Sequence, residues 1–319
     1  TPFIHALRKA APDAHITMLV DEKLKDVVLF NPYLDEVVTI DKKGRDNSIL
    51  SLWACSRHLS KLDFDVLINL HPNERCSFID AMTSVKLRTG TTHKIFKWFW
   101  DVFTPLDRSM HAADMYLDVL QQLGVQDLSS NGLEIFPGEE HFLEAELFWQ
   151  EQNITDQDKL IGFNIGSAVP TKRWPPERFA EVADIFAAKG YKTVFFGGPM
   201  DEEMVAEATG YMQTRPIIAT GHFAIGGLAA AMRRCCLIIT NDSGPMHVAI
   251  SQKVPIVAMY GPSNPKLYGP YTKDAVIVTA QPPCQGCADG MKHSCDDLQC
   301  MSRMTVEQVV AAAEKMLEK

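Results

Sequence analysis

The sequence predicts an α/β protein made of two doubly wound, Rossmann-like parallel-sheet units in tandem, facing a cleft. Three observations carry that prediction. Apolar runs of strand length alternate with amphipathic segments, the alternation lapses in a polar stretch ending near residue 159, and it then restarts more regularly. With 319 residues, 46% of them hydrophobic, the chain can fill two cores of ordinary size. The expected division is 1–155 for the first unit, 156–302 for the second and 303–319 for a terminal helix.

Taken in order, the chain opens on "TPFIHALRKAAP", with Phe3, Ile4 and Leu7 on one helical face and no Met. An amphipathic pattern already under way at residue 1 is expected of a chain with something upstream missing. The runs 15–20 ("HITMLV"), 35–40 ("DEVVTI") and 63–70 ("DFDVLINL") read as strands with helical segments between them. From residue 89 to the helix "HAADMYLDVLQQLG" no clear strand is legible, and 136–159 reads as an interdomain linker. The second unit supplies strands in "KLIGFNIG", "KTVFFGG", "PIIAT", "CLIIT", "VPIVAMYG" and "AVIVTA", each followed by a helical pattern or a Gly/Pro turn. "TVEQVVAAAEKMLEK" closes the chain as a capped helix.

A net charge of -9 argues against a nucleic-acid partner, which would call for a basic face. No apolar run approaches the ~18 to 20 residues that span a bilayer, and no secretory leader pattern stands at the start, so a cytoplasmic protein is expected.

Ligands of doubly wound sheets bind at the carboxyl ends of the strands, which makes every strand-to-helix loop of the second unit a candidate. In "NDSGPMHVAI" (241–250), Pro245 suits the first helical turn and Asp242 or Ser243 can cap it, while Gly244 lets a ligand approach the free N–H groups. A helix cap and an anion site are equally compatible with that loop. His247, one turn in, adds a donor or packs structurally. "NIGSAVPTKRWPPERF" (164–179) brings Lys172 and Arg173 to the end of another strand, where cations would stabilise a diphosphate leaving group; Trp174 reads as a packing residue against Phe179. The carboxylates Asp201, Glu202 and Glu203 in "GGPMDEE" suit ribose hydroxyls or a helix start, and Phe223 and Ile225 suit a nucleobase or the core.

Together, "GSAVPTKRWPPERFAEVA", "FFGGPMDEE" and "TNDSGPMHVAISQKVPIVAMYGPSNP" resemble glycosyltransferase family 9, the heptosyltransferases of lipopolysaccharide core assembly, over essentially the whole second unit. The resemblance implies a GT-B fold and an inverting transfer that requires no metal or other cofactor. It moves a sugar from a nucleotide-diphosphate donor, typically ADP-heptose, to a lipopolysaccharide core or other lipid-linked saccharide. It also implies that Lys172 neutralises the diphosphate, with Ser167 and Ala168 close by, and that Asp242 holds sugar hydroxyls. Ser243, Gly244 and His247 would lie against the phosphates, one of Asp201, Glu202 and Glu203 on the ribose, and Phe223 and Ile225 near the base. The family's general base belongs to a Gly-Asp loop that has no counterpart in this sequence, so no residue here inherits that role. Lys172→Ala is expected to reduce turnover and donor affinity sharply with the fold intact. A sugar-nucleotide epimerase of the same fold, or a non-catalytic saccharide-binding relative, are the alternatives.

Two further segments carry expectations. Cys284, Cys287, Cys295 and Cys300 are compatible with a structural zinc site, although their last gap departs from paired knuckles and reduced thiols or an adventitious disulfide fit better. "KLRTGTTHKIFKWFWDVF" sets Lys94 and Lys97 around Trp98 and Trp100, a pattern suited to an anionic lipid-linked acceptor or a peripheral contact with the inner membrane.

Overall fold

The computed structural model describes residues 1–280, 295 and 297–318. They divide into two compact units, Thr1–Asn131 and Gly132–Lys319.

The first unit holds α1 (Pro2–Ala10), β1 (Thr17–Asp21), β2 (Glu36–Ile40), α2 (Ile49–Ser60), β3 (Val66–Asn69), α3 (Glu74–Met82), β4 (Leu87–Gly90), β5 (Val102–Phe103) and α4 (Ala112–Gln122). Strands β1 and β2 pair in parallel, and β3, β4 and β5 form a second parallel ladder in that order. In and just before the segment that reads as strandless lie β4, whose Arg88, Thr89 and Gly90 break any apolar run, and β5, which has only two residues. Phe3 and Ala6 of α1 pack with Leu117, Val119 and Leu120 of α4, while Ile40, Leu52, Leu59 and Ile79 make a separate cluster under α2 and α3.

The second unit is one six-stranded parallel sheet. After α5 (Glu139–Glu151) come β6 (Leu160–Asn164), α6 (Pro176–Ala188), β7 (Lys192–Phe196), α7 (Glu202–Tyr211), β8 (Ile217–Ile218), α8 (Ile225–Met232) and β9 (Cys235–Asn241). Then follow α9 (Gly244–Ser251), β10 (Ile256–Met259), α10 (Pro265–Tyr268), β11 (Ala275–Val278), α11 (Gln299–Ser302) and α12 (Val306–Leu317). The strand order β11-β10-β9-β6-β7-β8 reverses direction between β6 and β9, which is where a doubly wound sheet opens its ligand crevice. Strands β6, β9 and β10 are almost wholly buried, as strands covered on both faces must be. One core cluster joins Phe163, Phe195, Ile239 and Val257 of the sheet to Phe179 and Phe186 of α6 and Val309 and Ala313 of α12.

The stretch that reads as a linker contains α5, a helix that buries Ala145, Phe148 and Trp149. It lies against α8 at close range: a Cβ on Gly226 would run into the His141 ring, and one on Gly227 into the Glu144 carboxylate. Its register is hard to read because Leu143 and Leu147 face outward.

Candidate functional site at the carboxyl ends of β6 and β9

Strands β6 and β9 run side by side and end in Asn164 and Asn241, both fully buried. Buried amides must be hydrogen-bonded, and these two tie the crevice loops together. The Asn164 Nδ2 donates to Thr240 Oγ1 at 2.9 Å and to Ser243 Oγ at 2.7 Å. Asn241 accepts the Trp174 N–H at 3.1 Å and donates to the Ile165 carbonyl at 2.7 Å, fixing the loop after β6 to the end of β9. Neither asparagine stands out in the sequence, because Asn at a strand end looks like an ordinary turn former.

Within this frame Lys172 Nζ lies 2.8 Å from Asp242 Oδ2, with both side chains largely buried. A buried ion pair at a crevice mouth costs desolvation on both sides, so its geometry rather than its stability gain is the informative property. Asp242 uses one oxygen for Lys172, and the Tyr260 hydroxyl stands beside it; burial first, and the Asp242 charge second, push that phenol's pKa up. The Tyr260 hydroxyl donates to the Tyr268 carbonyl at 2.7 Å. Ser167 is buried and its hydroxyl reaches the Asp242 carbonyl at 3.5 Å, while Ala168 next to it is exposed.

Ser243 stands at the N-cap of α9, yet its side chain makes no capping bond and is held by Asn164 instead. The start of α9, the positive end of the helix dipole, therefore carries no side-chain cap from Ser243. Gly244 is exposed and a Cβ placed on it would meet open space; His247 is half-buried one turn further. Arg173, adjacent to Lys172, turns its Nε and Nη2 onto the Ser167 carbonyl at 2.9 and 2.7 Å, so it braces the loop. Trp174 is buried, edge-on to Phe179 with ring centroids 5.1 Å apart, and its indole donates to the Met304 carbonyl.

The remaining candidates of this unit lie at the ends of β7 and β8. Asp201 accepts the Gly198 N–H at 2.9 Å and packs where Gly166 and Gly197 leave room for it, which makes it the brace of its own turn. Glu202 and Glu203 are exposed, and Glu202 lies against Gly221, whose φ of +75° sits in the loop that leads to Phe223. Phe223 is half-buried and meets Phe148 edge-on at 5.1 Å, and Ile225 opens α8, also half-buried.

In the first unit, the segment of basic and aromatic residues forms a 3-10 turn over Lys94–Phe99. It divides the expected acceptor residues. Lys94, Lys97 and Trp98 are exposed, whereas Trp100 is buried, its indole donating to the Thr89 carbonyl at 3.2 Å, and so it packs in the sheet without facing an acceptor. Of the late cysteines, Cys295 is exposed and Cys300 buried in the second core, while Cys284 and Cys287 lie outside the described residues. Among the described residues no group of three or more His, Cys, Asp or Glu is placed to hold a metal ion, and no helix is long and apolar enough to cross a membrane.

Comparison with known proteins bears on family and fold. The family model for Glycosyltransferase family 9 (heptosyltransferase) matches residues 52–295. Lipopolysaccharide heptosyltransferase 3 of Escherichia coli K12 is 24% identical over 99% of this chain and 93% of its own length. A crystal structure of a family 9 glycosyl transferase from Veillonella parvula superposes with a TM-score of 0.95 at 52% identity, covering 99% of this chain and 92% of that one. E. coli ADP-heptose lps heptosyltransferase II superposes at 0.81 with 20% identity over 99% of this chain and 93% of its own, a likeness of fold. The structure has the GT-B fold.

Proposed function

The chain belongs to glycosyltransferase family 9, and from that premise we propose that it transfers heptose from ADP-heptose, with inversion, to a lipopolysaccharide core or another lipid-linked saccharide. The observation that carries the reading is the Lys172–Asp242 pair beside the uncapped start of α9.

The chemistry follows from the charges. When the glycosidic bond to the diphosphate breaks, negative charge grows on the leaving phosphate oxygen. A fixed ammonium and aligned N–H groups stabilise that charge without reorganising. Lys172 supplies the first and the α9 terminus the second, and Gly244 keeps the approach open. Neutralisation by these groups requires no metal. Asp242 holds Lys172 in place and presents its remaining oxygen to sugar hydroxyls. Since Asp201 braces its own turn, Glu202 is the carboxylate we assign to the ribose, with the base against Phe223 and Ile225. Ser167, Ser243 and His247 line the phosphate path. Inversion in one displacement also needs a base at the acceptor hydroxyl, a role none of these residues fills. Acceptor contacts fall to the first unit, and the acceptor's lipid places the reaction at the cytoplasmic face of a membrane.

The test is incubation of the protein with ADP-heptose and a lipopolysaccharide core acceptor lacking its terminal heptose, followed by mass spectrometry. ADP release with a gain of one heptose on the acceptor is the expected result. No ADP release with any acceptor, or an isomerised sugar nucleotide formed without acceptor, would overturn the assignment; the second outcome is the signature of an epimerase.

A further inference from the structure

We propose that Asn164 is a positioning residue for the donor diphosphate: its side-chain amide turns the Ser243 hydroxyl from a cap of α9 into a hydrogen-bond donor for a phosphate oxygen. The inference rests on the reading of this crevice as the donor site.

The geometry starts from Thr240. Its Oγ1 donates to the Asn241 carbonyl at 2.7 Å, and a hydroxyl has one hydrogen, so towards Asn164 it can only accept. That fixes which way the Asn164 amide faces. Both Nδ2 hydrogens are used, one on Thr240 Oγ1 at 2.9 Å and one on Ser243 Oγ at 2.7 Å. The Asn164 Oδ1 on the other side is buried and has no hydrogen-bond partner among the described residues. An unpaired buried carbonyl costs stability, and an apolar side chain of the same shape would avoid that cost. Stability alone therefore does not account for an asparagine at the end of β6.

Ser243 holds the N-cap of α9 with an extended backbone, the conformation from which a serine oxygen ordinarily accepts an N–H of the first turn. It makes no such bond. Capping needs the oxygen as acceptor, and Asn164 Nδ2 already donates to that oxygen. The hydroxyl's own hydrogen has a weak outlet, the Asn241 carbonyl at 3.4 Å, which takes the Thr240 hydroxyl at 2.7 Å. A donor so loosely engaged moves to a stronger acceptor when one arrives, and a charged phosphate oxygen is stronger than a shared carbonyl. Ser243 is half-buried and follows Asp242, the partner of Lys172, so its hydroxyl stands beside the ammonium assigned to the same phosphates. In a chain that runs from Asn164 through Ser243 to phosphate, each bond polarises the next in one direction. Without the Asn164 amide, Ser243 is free to return to α9, where its oxygen competes with the phosphate for the first-turn N–H groups.

The experiment is calorimetric titration with ADP and with adenosine of wild type, Asn164→Leu, Ser243→Ala and the double variant. Asn164→Leu should raise the Kd for ADP by roughly two- to thirtyfold, the competition offered by one serine cap, and leave the Kd for adenosine as in wild type. Its melting temperature should stay within a few degrees of wild type, because the unpaired Oδ1 is gone and α9 gains a cap. Ser243→Ala should weaken ADP as well, and adding Asn164→Leu to it should change nothing further. If leucine is not accommodated, Asn164→Ala runs the same cycle. ADP bound by the Asn164 variant as tightly as by wild type overturns the proposal. So does an equal loss with and without the Ser243 hydroxyl, or a loss of adenosine binding in step with ADP, since Asn164 would then shape the crevice as a whole. Wild-type protein that binds no ADP removes the donor reading itself, and this inference with it.

Discussion

Gly244→Ala separates the two roles that the start of α9 can have. As a matter of folding the change is favourable: the glycine opens a helix, a Cβ there meets nothing within 4 Å, and its φ lies outside the left-handed region. Replacing Gly by Ala at a compatible position stabilises by about 0.4–1 kcal/mol. That corresponds to a rise of a few degrees in melting temperature for a domain of this size. As a matter of binding it is unfavourable, because the methyl projects into the space through which a phosphate reaches the free N–H groups. Loss of one charge-assisted hydrogen bond costs about 1.5–3 kcal/mol, a rise in Kd of roughly ten- to a hundredfold. Thermal denaturation reads the first effect and calorimetric titration with ADP the second. A variant that is more stable and binds ADP as tightly as wild type would refute the phosphate role of α9; a less stable one would refute the open geometry.

Other changes test other parts of the structure. Lys172→Ala was expected from sequence to spare the fold, but the structure pairs Lys172 with the buried Asp242, so the single change should cost about 3–5 kcal/mol in chemical denaturation. Lys172→Met combined with Asp242→Asn should recover most of that loss without recovering ADP binding. Burial pushes the Asp80 carboxyl from 3.8 up to about 7, against the opposing pull of Arg88. The folded state then keeps a proton that the unfolded chain has lost, so stability should fall as pH rises from about 4 to about 7 and level off above it, and Asp80→Asn should flatten that slope. Trp100→Ala should destabilise by about 3–5 kcal/mol in urea, and Trp98→Ala by no more than about 0.5 kcal/mol.

The second unit was legible because strands buried on both faces are continuous apolar runs, and Gly or Pro marks where each ends; all six of its strands lie where those runs do. The same criterion misses β4, whose Arg88, Thr89 and Gly90 break any apolar run, β5, which is only Val102 and Phe103, and α5, whose buried face is interrupted by outward Leu143 and Leu147. At the candidate site the charged and turn-forming residues could be read from the chain, since phosphate chemistry favours them. Asn164 and Asn241 could not, because their function is to bond neighbouring loops across β6 and β9, and pairing between distant strands leaves no local pattern. Trp98 and Trp100 lie two residues apart and look alike in sequence; the 3-10 turn alone sends one outward and the other into the sheet.

The close fit of α5 on α8 has a consequence for protein engineering. Gly226 has no room for a side chain while the His141 ring lies over it, whereas at Gly227 the obstacle is the movable end of Glu144, so a change of size at Gly226 calls for one at His141. A chimera that borrows the six-stranded sheet but begins after α5 would uncover two glycines and the rings of Phe223 and His222 that Phe148 covers. The smallest transplantable piece therefore starts at Gly132, and any exchange of second units between relatives has to carry that helix along.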